Sequence, residues 1–211
     1  MRRTDRKRMV KDGEQPPLAT RSSLLLRLKD LGDERSWREF YDLYWMLLYN
    51  VVRKAGFGAE DAEDVTQQTV SKVSQKMPGF VYDREKGSYK AWLMTVLRSR
   101  MADHARKNGR RVPTVSLEFE GLPAVRGRDE FKQLWNNEWN KRMVSLALER
   151  VKRRVGPKQF QIFHAYMMQE WTMREVTETL GVSNRQVYMA KYRVGEKFEE
   201  ELVRLREEGA D

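Results

Sequence analysis

Few residues of this chain are placed to break or form bonds. Asp61, Glu63 and Asp64 form a short acidic run, and a metal-dependent enzyme would need such carboxylates to converge on one point. On a helix, consecutive positions diverge by about 100°, so these three point apart. There are two histidines, His104 and His164, far apart in sequence, and no cysteine. A histidine or thiolate metal site, a catalytic triad and a disulfide framework are therefore not expected, and neither is a cofactor. What remains is recognition chemistry. Arg98, Arg106, Lys107, Arg110 and Arg111 can neutralise phosphates. Arg185 can pair bidentately with guanine, Gln186 with adenine, and Tyr188, Met189 or Tyr192 can touch a thymine methyl.

The balance of charge agrees with such a partner. The 211 residues carry 41 Lys and Arg against 31 Asp and Glu, a net charge of +10, with a pI near 9.8. Nucleic acid is the first polyanion this suggests and an acidic membrane the second. Membrane insertion is not expected, because the apolar runs are far too short for a span. The basic N-terminus has no apolar signal-peptide core behind it, which together with the lack of cysteine fits the cytosol.

The elements that must position these groups are all helices. Residues 1–19 are polar with Pro16-Pro17, and read as a disordered basic arm. Leu24, Leu25, Leu26, Leu28 and Leu31 predict a short helix ending at Gly32. Asp33 is placed to cap the next, with Trp37, Phe40, Tyr41, Tyr44, Leu47, Leu48 and Val51 at helical spacing and Gly56 closing it. From Ala59 to Met77 an apolar stripe (Ala62, Val65, Thr66, Thr69, Val70, Val73, Met77) faces away from Glu60, Asp64, Gln67, Gln68, Ser71 and Gln75. A face so poor in Lys and Arg is unusual in a basic protein and suggests a docking surface for a basic partner. Phe80–Arg111 reads as a loop, an N-cap at Ser88 and a helix to about Lys107. Its core face is Tyr89, Trp92, Leu93, Val96 and Leu97, and its outward face is Ala91, Thr95, Arg98, Ala102 and Arg106.

Residues 108–129 carry scattered Gly and Pro without helical period and read as an interdomain linker. A long helix follows, from about Glu130 to Val155, and Gly156-Pro157 ends it. Thr172 can cap a short helix to Leu180, Gly181-Val182-Ser183 makes a turn, and Ser183 caps a second helix reaching past Leu202. Val176, Leu180, Val182, Val187, Ala190, Val194 and Phe198 would point inward. This is the pattern of a helix-turn-helix, whose second helix enters the major groove. The run Glu199–Glu201 and the pair Glu207-Glu208 read as a solvated helix end.

Taken in order, TRSSLLLRLKDLGDERSWREFYDLY, DAEDVTQQTVSKV, GSYKAWLMTVLRSRMADHARK and REVTETLGVSNRQVYMAKYRVGEKFEEEL resemble the extracytoplasmic-function (ECF) sigma factors of bacterial RNA polymerase. The resemblance implies an all-α protein of two small helical domains joined by a flexible linker. Residues 20–107 would bind core polymerase and melt the −10 element, 108–129 would link, and the helix-turn-helix domain 130–211 would read the −35 element. Asp64 and Gln67 match the family's Asp-x-x-Gln, which faces the clamp helices of the largest polymerase subunit. Asp61, Gln68 and Ser71 join them as core-binding candidates, and the flap of the second-largest subunit is a further contact that the family implies. Phe80, Tyr82, Lys86, Tyr89 and Lys90 fall in or beside the loop that captures a flipped −10 base. Trp92, Arg98, Asp103 and Arg106 match the helix behind it, with Lys107 at its end. Ser183, Asn184, Arg185, Gln186, Tyr188, Met189, Lys191, Tyr192 and Arg193 match the −35 reading helix. Family members are often held by an anti-sigma factor. The chain departs from the family pattern at Val176-Thr177, where Ile-Ala is frequent, and at Arg98-Ser99, where Arg-Asn is usual. A hydroxyl at Thr177 sits near the core and needs a backbone partner.

The rival reading is a stand-alone helix-turn-helix regulator, which explains the C-terminal pattern but not the acidic face. A nuclease or recombinase would have to rest on the divergent carboxylates at 61, 63 and 64.

Overall fold

The computed structural model describes residues 21–81, 88–107 and 127–210, excluding the side chains of 21–23, 128 and 206–210. The arm 1–19, the loop residues Tyr82 and Lys86 and nearly all of the expected linker lie outside the described residues. Within them every regular element is helical. The helices are α1 Arg21–Arg27, α2 Glu34–Lys54, α3 Ala59–Lys76, α4 Tyr89–Lys107, α5 Arg128–Lys152, α6 Pro157–Phe163, α7 Met173–Leu180 and α8 Asn184–Ala210. A 3-10 turn, Met77–Gly79, extends α3, and a π-helical turn, His164–Met168, extends α6.

Local chemistry sets most of the boundaries. The Asp33 carboxylate accepts from the Ser36 backbone N–H at 3.0 Å, capping α2, and Gly56 leaves that helix at φ 95°. Ser88 Oγ accepts from the Ala91 N–H at 3.2 Å at the start of α4. Thr172 and Glu175 form a reciprocal capping box on α7, which satisfies donors that the first turn leaves open. Gly181 at φ 60°, ψ 47° ends α7 in the left-handed conformation, where a Cβ would be strained. The Thr177 hydroxyl donates to the Arg174 carbonyl at 3.0 Å, the backbone partner it needs.

The first helix is shorter than its leucines suggest. It stops at Arg27, and Leu31 is exposed. The Asp30 carboxylate instead accepts from the Gly32 N–H at 2.8 Å, a local bond that competes with another helical turn.

Packing is organised in two buried groups. The larger runs without a break from Leu24, Phe40 and Tyr44 through Val65, Leu93 and Met101 to Phe131, Trp135, Trp139, Ala147 and the second half of α8. The smaller is Ile162, Ala165, Val176, Val182, Val187 and Ala190, where α6, α7 and the first turns of α8 meet. α8 thus belongs to both. The α3 stripe is buried at Ala62, Val65, Thr66, Thr69, Val73 and Met77 and half-buried at Val70.

The first half of α5 is seated on the N-terminal helices. Phe131, Trp135 and Trp139, one helical turn apart, are 1%, 1% and 3% exposed, each contributing about 1.5–3 kcal/mol by burial. Trp139 lies 5.9 Å from Tyr44, ring centre to ring centre. Glu138, 5% exposed, accepts from Lys54 Nζ at 2.6 Å and from Lys141 Nζ at 3.2 Å. Burial pushes the Glu138 carboxyl up, but Lys54 and Lys141 together outweigh it and hold the group below its ordinary value. Arg142 donates to the main-chain carbonyls of Asp42 and Leu43 in α2.

The acidic end of α8 is not uniformly solvated. Glu199 and Glu200 are exposed, but Glu201 is 2% exposed and accepts from Arg150 at 2.7 Å and Arg154 at 3.0 Å. It faces α5 because its position continues the Val194–Phe198 stripe, and the two arginines compensate its desolvation. Replacing Glu201 by Ala removes the buried carboxylate that Arg150 and Arg154 share. The expected cost is about 3 kcal/mol, the lower end for a broken buried pair because Arg154 is half in water. Thermal or urea unfolding of Glu201→Ala beside Glu200→Ala checks this; equal stability of the two variants would refute the role given to Glu201.

Candidate nucleic-acid and polymerase interface

The acid and amide face of α3 is open along its length. Glu60, Glu63, Asp64, Gln67, Gln68, Ser71 and Gln75 are all exposed, and Glu60 and Asp61 sit in the first turn, where negative charge suits the helix dipole. Gln67, Gln68, Ser71, Lys72 and Gln75 line a shallow groove with Arg100 of α4 as its far wall. Such a surface offers carboxylate and amide acceptors to a basic partner. Asp61 differs from its neighbours. It is a quarter exposed and bonds His104 Nε2 at 2.8 Å, with the imidazole buried between α3 and α4. The bond ties α3 and α4 together. Among the described residues no cluster of His, Cys, Asp or Glu is arranged to hold a metal.

Next to this face, α4 carries the basic candidates, and they divide by position. Phe80, Tyr89 and Trp92 form an aromatic group where the loop meets the helix, with Phe80–Trp92 at 4.6 Å and Tyr89–Trp92 at 5.3 Å between ring centres. Phe80 and Trp92 are half-buried, while Tyr89 is wholly enclosed in the core. Lys90 is half-buried with Nζ 5.3 Å from the centre of the Trp139 ring, and desolvation there lowers its pKa below the ordinary lysine value. Arg98 is half-buried with its guanidinium 5.9 Å from the Phe131 ring. Ala102, expected on the outward face, is buried at 8% exposure, because the helix is covered over a wider arc than one stripe. Arg106 and Lys107 are exposed, and Arg106 is ion-paired with Asp103 one turn earlier.

At the other end of the molecule, α7, the Gly181 turn and α8 bring the remaining candidates to one surface. Ser183, Asn184, Arg185, Gln186, Tyr188, Met189, Lys191, Tyr192 and Arg193 are all exposed, with Val187, Ala190 and Val194 beneath them. Tyr188 and Tyr192 show 59% and 70% of their surface, large for aromatic residues with no solvent-side neighbour to cover them. Two of the set also have structural work. Gln186 Oε1 accepts from the Ser183 N–H at 2.8 Å and its hydroxyl at 3.2 Å, so its amide oxygen serves a capping box. Lys191 leans over Tyr166, 5.7 Å from the ring centre.

Comparison with known proteins bears on the first of these surfaces most directly. Residues 40–111, about a third of the chain, match the family model for sigma-70 region 2. That stretch contains most of α2 and all of α3 and α4, hence both the acidic face and the basic helix. Over 169 residues the chain is 22% identical to the ECF RNA polymerase sigma factor BldN of Streptomyces coelicolor. The chain is thus similar to an ECF sigma factor over most of its length. The match covers 80% of this chain and 61% of BldN, so the chain spans about three-fifths of that relative's length. Two solved structures also match: a complex of RsbN with BldN, 18% identical, covering 83% of this chain and 97% of that one, and CnrH with the cytosolic domain of CnrY, 16% identical, covering 84% and 94%. Both superpose with a TM-score of 0.34.

Sequence reasoning missed Trp139 and the polar residues among those that hold α5 in place. Trp139 continues the four-residue spacing of Phe131 and Trp135, so it carried a readable signal. Lys54, Glu138 and Arg142 carried none, since their partners lie 84 to 100 residues away in the chain.

Proposed function

We propose that this chain is an ECF sigma factor that directs core RNA polymerase to specific promoters and begins strand opening, supplying address rather than catalysis. The open acid and amide face of α3, side by side with a basic α4 inside the matched region 2, carries this reading. On it Asp61, Asp64, Gln67, Gln68 and Ser71 meet basic residues of the polymerase clamp helices. Asp64 is the strongest of these, exposed and central, whereas Asp61 acts through the His104 tie. Phe80, Trp92 and the loop between α3 and α4 (Tyr82 and Lys86 included) hold a −10 base extruded from the duplex. Aromatic stacking returns the few kcal/mol that extrusion costs. Lys90, Arg98, Arg106 and Lys107 neutralise the adjoining phosphates, while Tyr89 supports the aromatic group from inside. α7 and α8 act as a helix-turn-helix on the −35 element, with Arg185, Tyr188, Met189, Tyr192 and Arg193 reaching bases or phosphates. Residues 108–126 link the two units, and the second-largest polymerase subunit's flap receives the C-terminal one. The protein works in the cytoplasm, where its polymerase is. An anti-sigma protein that holds the free chain belongs to the same reading. Among the described residues no helix is long and apolar enough to cross a membrane.

Run-off transcription with core polymerase on fragments of the source genome tests the proposal. New transcripts sharing a −35 and a −10 element support it. Tight DNA binding without transcripts would turn the assignment toward a stand-alone helix-turn-helix regulator. Two substitutions locate the surfaces. Asp64→Lys reverses charge on the docking face, so core affinity should fall at least tenfold while binding of the free protein to duplex DNA stays unchanged. Core affinity equal to wild type would exclude α3 as the docking surface. Arg185→Ala should relax preference at one −35 position, costing about 1–3 kcal/mol if the side chain pairs with guanine. Full retention of preference at every −35 position would remove Arg185 from the reading set.

A further inference from the structure

Bidentate pairing of a glutamine with adenine takes both halves of the amide: the oxygen accepts from the N6 amine while the nitrogen donates to N7. At Gln186 one half is already engaged. The Ser183 backbone N–H donates to Gln186 Oε1 at 2.8 Å and the Ser183 hydroxyl donates to it at 3.2 Å. A backbone N–H can only donate, so the amide atom that faces it has to be the oxygen. In return, the Gln186 N–H reaches Ser183 Oγ at 3.3 Å. The result is a reciprocal box on the first turn of α8, satisfying donors that a helix start leaves open. Giving the oxygen to a base would undo the cap.

α7 uses the same device with a different acceptor. There Glu175 Oε2 accepts from the Thr172 N–H at 2.7 Å and from its hydroxyl at 2.8 Å. Glutamate and glutamine both close such a box, so capping alone does not require an amide at position 186. What glutamine adds is an NH2 group, and what it omits is a negative charge. Both matter on this surface. The first turn of α8 carries no acidic residue, and Gln186 is exposed beside Arg185. The N-terminal residues of a recognition helix are the ones that meet base edges.

We propose that Gln186 reads the −35 element as a donor only: its oxygen stays on Ser183, and its NH2 group selects a base that presents acceptors in the major groove, guanine first and thymine second. This rests on the helix-turn-helix reading of α7 and α8. Guanine offers N7 and O6 side by side, and thymine offers O4. Adenine sets an amine beside its N7 and cytosine presents an amine, so each turns a donor toward the Gln186 donor. Ser183 is a positioning residue in this scheme, because its N–H and its hydroxyl fix which half of the amide faces outward.

The test uses the full chain with core polymerase on promoter fragments randomised across the −35 element, the bound fragments being sequenced. Gln186→Glu keeps the capping oxygen and removes the donor, so it should melt no lower than wild type, whereas Gln186→Ala loses the cap and should melt lower. At one −35 position wild type should select guanine or thymine over adenine by roughly tenfold. Gln186→Glu should reverse that position toward cytosine or adenine, whose amines can donate to the free carboxylate oxygen. Gln186→Ala should show no preference there. Adenine selected by wild type at the position that Gln186→Ala relaxes overturns the proposal. So does a Gln186→Glu protein with wild-type preference at every position, which would leave Gln186 as a cap alone. If wild type shows no −35 preference anywhere, the helix-turn-helix reading fails and this proposal with it. A preference that only Arg185→Ala relaxes keeps that reading and removes Gln186 from the readers.

Discussion

The burial of three aromatic residues on one turn-spaced face of α5 is the constraint on which the rest of this structure depends. Phe131, Trp135 and Trp139 need an apolar seat, and α5 alone cannot give them one. The seat they find is the aromatic side of α2 and α4, around Tyr44 and Tyr89. Once they occupy it, the arc of α4 available to solvent narrows, Ala102 is covered, and Arg98 and Lys90 are brought under rings. The Glu138 carboxylate can then be buried only because Lys54 stands opposite it, since an unpaired charge there would cost several kcal/mol. The polar contacts follow from the apolar ones and fix their register.

The same packing explains why the two candidate surfaces behave differently. α3 buries a narrow stripe and leaves Glu60, Glu63, Asp64, Gln67 and Gln68 exposed, so its acidic character survives in the folded protein. α4 is sandwiched, with α3 on one side and α5 on another, so its basic character is only partly displayed. The α7–α8 surface rests mainly on the smaller core of Ile162, Val176, Val182 and Val187, which fixes the mutual geometry of its recognition groups.

Much of this was legible in the sequence, for physical reasons. Capping residues announce themselves locally: Asp33, Ser88, Thr172 and Ser183 each serve the helix they precede. The α3 stripe and the helix-turn-helix spacing are periodic, and periodicity survives the absence of tertiary information. What could not be read depends on partners distant in the chain. Glu201 looks like one more acid in a polar run, and only Arg150 and Arg154 arriving from α5 make it a buried residue. Arg98 and Lys90 look like free surface cations until α5 is laid over them. Leu31 fails in the opposite direction, since the apolar residue suggested a longer helix while an aspartate one position earlier captured the backbone for a turn.

The packing divides within α5 rather than before it. Its first half packs with the N-terminal helices, and its second half, through Leu146, Ala147, Val151 and the Arg150–Glu201 pair, packs with α8. A single continuous helix therefore ties the N-terminal helices to α8 within one buried group. The three aromatic residues hold the first half of α5 against α2, and the Arg150–Glu201 pair with its apolar seam holds the second half against α8.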